Sequence, residues 1–338
     1  MELPEDMVGR ILSKLHPFEV VKAKLVCRTW RRLISTMPVP SSALGFAIDS
    51  PLSSSTLMYA DLSCSRWVGF PLLDEPASLI AIASPFLCLS TTSSSKPHVA
   101  QLHLLNPLTR VHVCIEPSLS RMVPFLVGLC TAPPIGGFKV VIAGQKAVAD
   151  RSRRFDMDLD LPVQVFDSAS FSWRRAGYVL GAAPEYASPV CLGSRIYWLA
   201  RKGSRSHVLV FDAVDESWNM LRPSWPQELI PFTLWVWDGH LCMAGEISNA
   251  LTVWKLAVNK CEWLMHTRIP SNVVDVDNFC GVKDVAGHGH LLCIMLVWAR
   301  KGIVYDLRSG RVSRLPYCPV SAFSWGNVHP YMPGFSHL

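Results

Sequence analysis

Two histidines two residues apart, in Gly287-His288-Gly289-His290, are the nearest thing to a metal-binding pattern in this chain. On a strand that spacing puts both imidazoles on one face. No carboxylate or cysteine stands at a matching distance to complete a ligand set, so a turn between two strands is the better reading. Gly-x-Ser-x-Gly, Walker-type loops, His-Glu-x-x-His and Gly-x-Gly-x-x-Gly are all lacking, which leaves no motif for nucleophilic, phosphate-binding or zinc-hydrolase chemistry. The 11 cysteines are odd in number and contain no Cys-x-x-Cys pair. Cys64, Cys88, Cys114, Cys130, Cys191, Cys242 and Cys293 lie in apolar or strand-like runs and read as small core residues. That usage points to a reducing compartment, cytoplasm or nucleus. No cofactor and no catalytic residue is expected, and the chain reads as a binding protein.

One segment reads as a contact surface. Between Gly144 and Pro162 a basic cluster, Arg151, Arg153 and Arg154, precedes alternating acidic and apolar residues from Phe155 to Leu161. Such a sequence cannot be buried cheaply, so a surface loop is expected, with the three arginines as substrate contacts. A solvated insertion without a role is the competing reading. Net charge is +6 overall. Residues 1–37 hold seven Lys/Arg against four Asp/Glu, and the remaining charge is spread thinly. This is no nucleic-acid footprint. The longest apolar run, Leu291–Ala299, is too short to span a bilayer, so no membrane partner is expected.

The elements that must position these residues come from a repeat. With a hydrophobic fraction of 50% and a charged fraction of 17%, the chain has ample material for a core. From Val163, Val208 and Leu57, a hydrophobic strand runs into Asp167, Asp212 and Asp61, and a tryptophan follows six residues later at Trp173, Trp218 and Trp67. Weaker copies place Asn106, Ala257 and Asp306 at the same point, with Trp263 retained in one of them. The intervals between turn positions are 45, 61, 45, 45 and 49 residues, a period that suits one four-stranded propeller blade. The long interval is the one containing Arg151. Six copies predict six blades, with a seven-bladed ring or a pair of β-sandwiches as alternatives. The first unit lacks an innermost strand and the last is followed by a spare one at Val320–Trp325. That tail is expected to complete the first blade and close the ring, removing exposed strand edges. The recurring tryptophans, with Trp198, Trp235, Trp237, Trp254 and Trp298, are expected to be mostly core.

The opening residues are different in kind. Met7, Val8, Ile11, Leu12 and Leu15 recur with helical spacing behind Pro4, Glu5 and Asp6, a normal helix start. His16-Pro17 ends that helix. A second carries Val20, Val21, Lys24 and Leu25, and Cys27-Arg28-Thr29-Trp30 opens a third that stops before Met37-Pro38. Three short helices in about 35 residues bury too little surface to be stable alone. They must be completed by something else, as a docking module would be.

Leu3-Pro4-Glu5-Asp6, Arg10-Ile11-Leu12, Leu15, Lys24, Val26-Cys27-Arg28, Trp30 and Leu33 resemble the F-box, the motif that inserts into a Skp-type adaptor in Skp–cullin–F-box (SCF) ubiquitin ligases. The β-rich remainder resembles the kelch-like propellers found behind plant F-boxes, through Phe-Asp-x-x-x-x-x-Trp, Asn106-Pro107-Leu108-Thr109-Arg110 and Phe138-Lys139-Val140-Val141. The resemblance implies an α+β multidomain chain: an F-box of three helices at 1–37, a linker at 38–42, and a six-bladed propeller at 43–338 closed by a C-terminal strand. It further implies a non-catalytic specificity subunit that binds the adaptor, and a cullin through it, while the propeller holds an unknown target protein. The adaptor interface would comprise Leu3, Pro4, Ile11, Leu12, Leu15, Val20, Val21, Val26, Cys27 and Trp30, with Lys24 and Arg28 at its rim. An interaction scaffold that does not lead to ubiquitin transfer is the alternative. A propeller with a small-molecule or redox site in its channel is a third, for which no converging ligand set is legible.

Overall fold

Hydrophobic strands broken by polar turns at a regular period have one economical solution, a ring of small sheets that bury their faces against each other. The computed structural model takes that form. It describes residues 3–15, 17–36, 45–48, 56–62, 65–73, 77–93, 96–116, 122–131, 137–146, 160–179, 183–184, 188–202, 205–224, 229–257, 260–274, 282–296, 302–316 and 328–332.

Six antiparallel sheets form the blades. From the channel outward, blade two is Ala77–Ala83, Phe86–Ser93, Lys96–Asn106 and Val111–Ile115. Blade three is Met122–Cys130, Lys139–Lys146, Leu161–Asp167 and Ser172–Val179. In blade four the innermost position is shared by Ala183–Pro184 and Val190–Leu192, both paired to Arg195–Lys202, followed by Arg205–Asp212 and Ser217–Leu221. Blade five is Ile230–Trp237, His240–Ile247, Ala250–Ala257 and Glu262–Pro270, and blade six is Val282–His288, Leu291–Leu296, Gly302–Asp306 and Val312–Arg314. Blade one is assembled from both ends of the ring: Val328–Tyr331, then Gly45–Ile48, Thr56–Asp61 and Arg66–Pro71.

There is no single central core. Six apolar clusters instead fill the gaps between neighbouring blades, and each joins two sheets, as when Val141, Val163 and Val165 of blade three meet Ile196, Trp198 and Phe211 of blade four. The recurring tryptophans belong to these gaps. Trp67, Trp173, Trp218 and Trp263 lie opposite Ala60, Phe166, Phe211 and Leu256 across the outer strand pair. Trp263 is buried and the others are half-buried. Trp67 also reaches back one blade, donating its indole N–H to the Pro316 carbonyl at 2.9 Å.

The turn residues explain the repeat. Each third strand ends at the position read from the period: Asp61, Asn106, Asp167, Asp212, Ala257 and Asp306. In four of the six blades its side chain caps the turn, accepting the backbone N–H two residues on: Leu108 to Asn106 at 3.0 Å, Ala169 to Asp167 at 2.9 Å, Val214 to Asp212 at 3.0 Å and Arg308 to Asp306 at 2.8 Å. The residue four after it turns left-handed in all six blades: Ser65, Arg110, Phe171, Glu216, Cys261 and Gly310. Only the last is a glycine, so the hairpin holds the other five in a costlier conformation.

The ring closes further along the chain than the sequence suggests. The closing strand is Val328–Tyr331, paired antiparallel with Gly45–Ile48, and not Val320–Trp325, which lies outside the described residues. Three contacts pin it: the Val328 N–H donates to Asp284 of blade six at 2.7 Å, the Tyr331 hydroxyl to the Pro85 carbonyl at 3.2 Å, and the Met332 N–H to the Ser84 hydroxyl at 3.1 Å. Pro330 is tolerated because an innermost strand is a sheet edge and no ladder donor is required there. His329, in the same strand, is buried, and desolvation lowers its pKa from 6.5 to about 4. The folded ring therefore refuses a proton that the unfolded chain accepts. Stability should fall as pH drops from about 6.5 to about 4, by up to about 3 kcal/mol, and level off below. Urea midpoints between pH 7 and pH 4 measure this, and the slope should shrink in His329→Asn.

Blade packing sets a second testable limit. Trp235 of blade five, fully buried, lies flat against Gly287 of blade six and donates to the Gly289 carbonyl at 2.9 Å. A Cβ on Gly287 would sit 2.2 Å from the Trp235 ring. Gly287→Ala should cost about 1–3 kcal/mol as overpacking, read as a lower thermal midpoint with native circular dichroism.

Among the described residues the eight cysteines form no disulfide. Cys88, Cys130, Cys242 and Cys293 are buried as expected, and burial pushes the Cys88 and Cys242 thiols up to about 12, away from reactivity. Cys191 is half-buried, its sulfur 3.2 Å from that of Cys130. Cys114 departs from expectation: it is exposed on the outermost strand of blade two, where alternate side chains face solvent, and Cys64 lies outside the described residues. Trp198, Trp235 and Trp237 are buried and Trp254 is half-buried; Trp298 lies outside the described residues.

Candidate functional site

The N-terminal helices are α1 (Glu5–Leu12), α2 (Pro17–Ala23) and α3 (Arg28–Thr36). Pro4 precedes α1, its carbonyl accepting the Val8 N–H at 3.0 Å, and Glu5 and Asp6 sit at the positive end of the helix. Cys27 opens α3, its sulfur 3.5 Å from the Trp30 N–H. An ion pair between Arg32 and Glu5 joins α3 to α1 at the surface, where it contributes little.

Helix α1 carries two apolar stripes, one turned inward and one outward. Val8 and Leu12, with Val20, Ala23 and Ile34 from the other helices, form a buried cluster, against which Leu15, Trp30 and Leu33 pack half-buried. The second stripe is Leu3, Met7 and Ile11, with 51, 48 and 40% of their surface exposed. Leu25 and Val26, at the turn after α2, are 82 and 62% exposed. Exposed leucine, isoleucine and valine at this density on so small a module mark an interaction surface.

The expected interface residues thus divide. Leu3, Pro4, Ile11, Val26, Cys27 and Arg28 are exposed. Leu15, Lys24 and Trp30 are half-buried; burial, then the charge of Arg31, draws the Lys24 pKa down. Leu12 and Val20 have no exposed surface and hold the helices together. The side chain of Val21 lies outside the described residues, as do Arg151, Arg153 and Arg154. Met7 and Leu25 were missing from the sequence-derived set although they share the outward surface; the i, i+4 spacing of Leu3, Met7 and Ile11 was the signal for the first.

One propeller residue completes the helical cluster. Leu108, from the blade two turn capped by Asn106, is 5% exposed and packs with Val8, Leu12, Val20, Ala23 and Ile34. The turn is buried beneath the helices, and Asn106 itself is fully buried. A neutral amide makes the same cap there without the cost of burying a carboxylate. The sides of the ring follow from topology. First-to-second and third-to-fourth strand turns lie on one face, and residue 45 begins the second strand of blade one on that same face. The helices are therefore tethered to the face on which Leu108 meets them. Residues 147–159 join the second and third strands of blade three, so their anchor points lie on the opposite face.

Among the described residues no group of three His, Cys, Asp or Glu side chains is placed to hold a metal, and Gly289-His290 is the turn between the first two strands of blade six. No helix among the described residues is long and apolar enough to cross a membrane.

Comparison with known proteins agrees with these two parts. TolB from Acinetobacter baumannii is similar in structure over 90% of this chain and 71% of its own, at 11% sequence identity and a TM-score of 0.53. A chain of a nidogen/laminin complex is similar over 85% of this chain and 98% of its own, at 8% identity and a TM-score of 0.50. At such identities the likeness concerns the fold alone. No curated protein matches the sequence. Residues 1–41 match the family model of the F-box domain, so the chain carries an F-box domain at its N-terminus, followed by a six-bladed β-propeller.

Proposed function

We propose that this protein is the substrate-recognition subunit of an SCF ubiquitin ligase, with blades of the kelch-like type. The observation that carries the reading is the outward stripe of Leu3, Met7 and Ile11 with Leu25 and Val26, left uncovered by the protein's own packing on a domain of a kind that generally binds Skp1-type adaptors. The cullin follows through the adaptor. Catalysis is by proximity: the adaptor holds one face of the molecule, the propeller holds the target, and the target's lysines gain a high effective concentration at the charged conjugating enzyme. F-box proteins are generally not themselves catalysts, and here no residue is asked to make or break a bond.

The target is assigned to the face opposite the F-box, where the blade three insertion with Arg151, Arg153 and Arg154 is anchored. Affinity recovery of the full chain from cells with proteasome function blocked tests both halves. Adaptor and cullin should be recovered together, along with ubiquitinated target. Deleting residues 146–159 should lose the target and keep adaptor and cullin. Adaptor without cullin would favour a scaffold that leads to no ubiquitin transfer.

A further inference from the structure

The innermost strands of all six blades converge on a cavity of about 470 Å³ in the ring's channel. Ala83, Thr131, Ser188, Trp235, Asp284 and His329 line it, one from each blade or its adjoining turn. This volume falls within the range of small-molecule sites, which are mostly apolar with a few placed polar groups. Phe232, Val285 and Val328 supply further apolar wall. Among the described residues no lysine or arginine lines the cavity. Its carboxylate, Asp284, is engaged with the backbone N–H groups of Val328 at 2.7 Å and Val285 at 2.8 Å, so it is not placed as a free counter-charge for a cation. A neutral ligand suits these walls best.

His329 sets the polar requirement. It is 3% exposed; its Nδ1 is hydrogen-bonded to the Ser188 hydroxyl, and its Nε2 has no hydrogen-bond partner among the described residues. A buried imidazole nitrogen left unpaired is rare and costly, and a ligand atom that pairs it recovers that cost. Burial keeps the ring neutral at physiological pH, so Nε2 can serve a hydroxyl or carbonyl as one half of a neutral pair.

We propose that the channel binds a small neutral organic molecule, with a flat apolar body against Phe232 and Val236 and one hydroxyl or carbonyl paired to His329 Nε2.

The test uses three probes that share one body: 2-naphthol, naphthalene and 2-naphthoate, titrated by fluorescence into the full chain at neutral pH. 2-Naphthol should bind saturably at one site and about tenfold tighter than naphthalene, equivalent to about 1.4 kcal/mol. The charged 2-naphthoate should bind weakest. His329→Phe should bind naphthol and naphthalene equally. Because His329 lies in the closing strand, a second variant, Thr131→Trp, fills the cavity from a half-exposed position outside the strands and should abolish binding of both with native circular dichroism. Absence of saturable 2-naphthol binding, equal binding of naphthol and naphthalene to the unaltered chain, or full binding by folded Thr131→Trp would each overturn the proposal.

Discussion

Replacing Tyr331 by alanine should cost about 3–5 kcal/mol and bring the propeller to the edge of unfolding, since single domains hold about 5–15 kcal/mol in total. Tyr331 is the side chain on which closure rests. It is fully buried, with its ring at 5.7 Å from that of Tyr59 and 6.5 Å from that of Phe70, both edge-on, and its hydroxyl on the Pro85 carbonyl of blade two. One residue therefore fastens the last strand to blade one and to its neighbour together. Burial also raises the phenol pKa well above its ordinary value, so the hydroxyl stays a donor across the accessible pH range. Tyr331→Phe keeps the ring and loses one hydrogen bond, for about 1 kcal/mol. Urea unfolding of both variants gives the comparison. A cost below about 1 kcal/mol for the alanine variant would mean that closure does not rest on this residue.

The second large effect concerns the adaptor. Ile11→Glu places a charge in the middle of the outward stripe and should weaken binding to a purified Skp-type adaptor about a hundredfold, the scale of a hot-spot loss. Leu3→Ala with Pro4→Ala should weaken it about tenfold. In all three changes the propeller should keep its thermal midpoint, because these side chains are exposed. Leu12→Ala is the contrasting case. Its side chain is buried among Val8, Val20 and Ile34, so about 2–5 kcal/mol of helical packing is lost and binding fails through unfolding of the module. Calorimetry for affinity and proteolysis for integrity separate the two. Undiminished affinity in Ile11→Glu would remove the adaptor from this surface.

How far the sequence carried these readings depends on how local each signal was. Asp167, Asp212 and Asp306 announced the blades because an Asx-capped turn is a local device, complete within four residues. The closing strand was misplaced because Val328-His329-Pro330-Tyr331 is four residues long and holds a proline. Its partners, Asp284, Pro85 and Gly45–Ile48, lie up to hundreds of residues away. The two stripes of α1 could not be told apart in the sequence, since Leu3, Met7 and Ile11 have the same four-residue spacing as Val8 and Leu12. What turns one stripe inward is Ile34 and, from the propeller, Leu108. The channel was illegible for the same reason: Ala83, Ser188 and His329 meet only when six sheets are in place.

The seam in blade one has a mechanical corollary. Gly45 faces Tyr331 and Ile48 faces Val328, so the chain leaves the ring beside the point where it came in. Tension between the two ends would load that ladder like the tab of a zipper, breaking its rungs one at a time instead of shearing them together. A ring held together by six packed gaps would thus yield to a modest pull at one place, and an unfolding motor gripping either tail would open it there first.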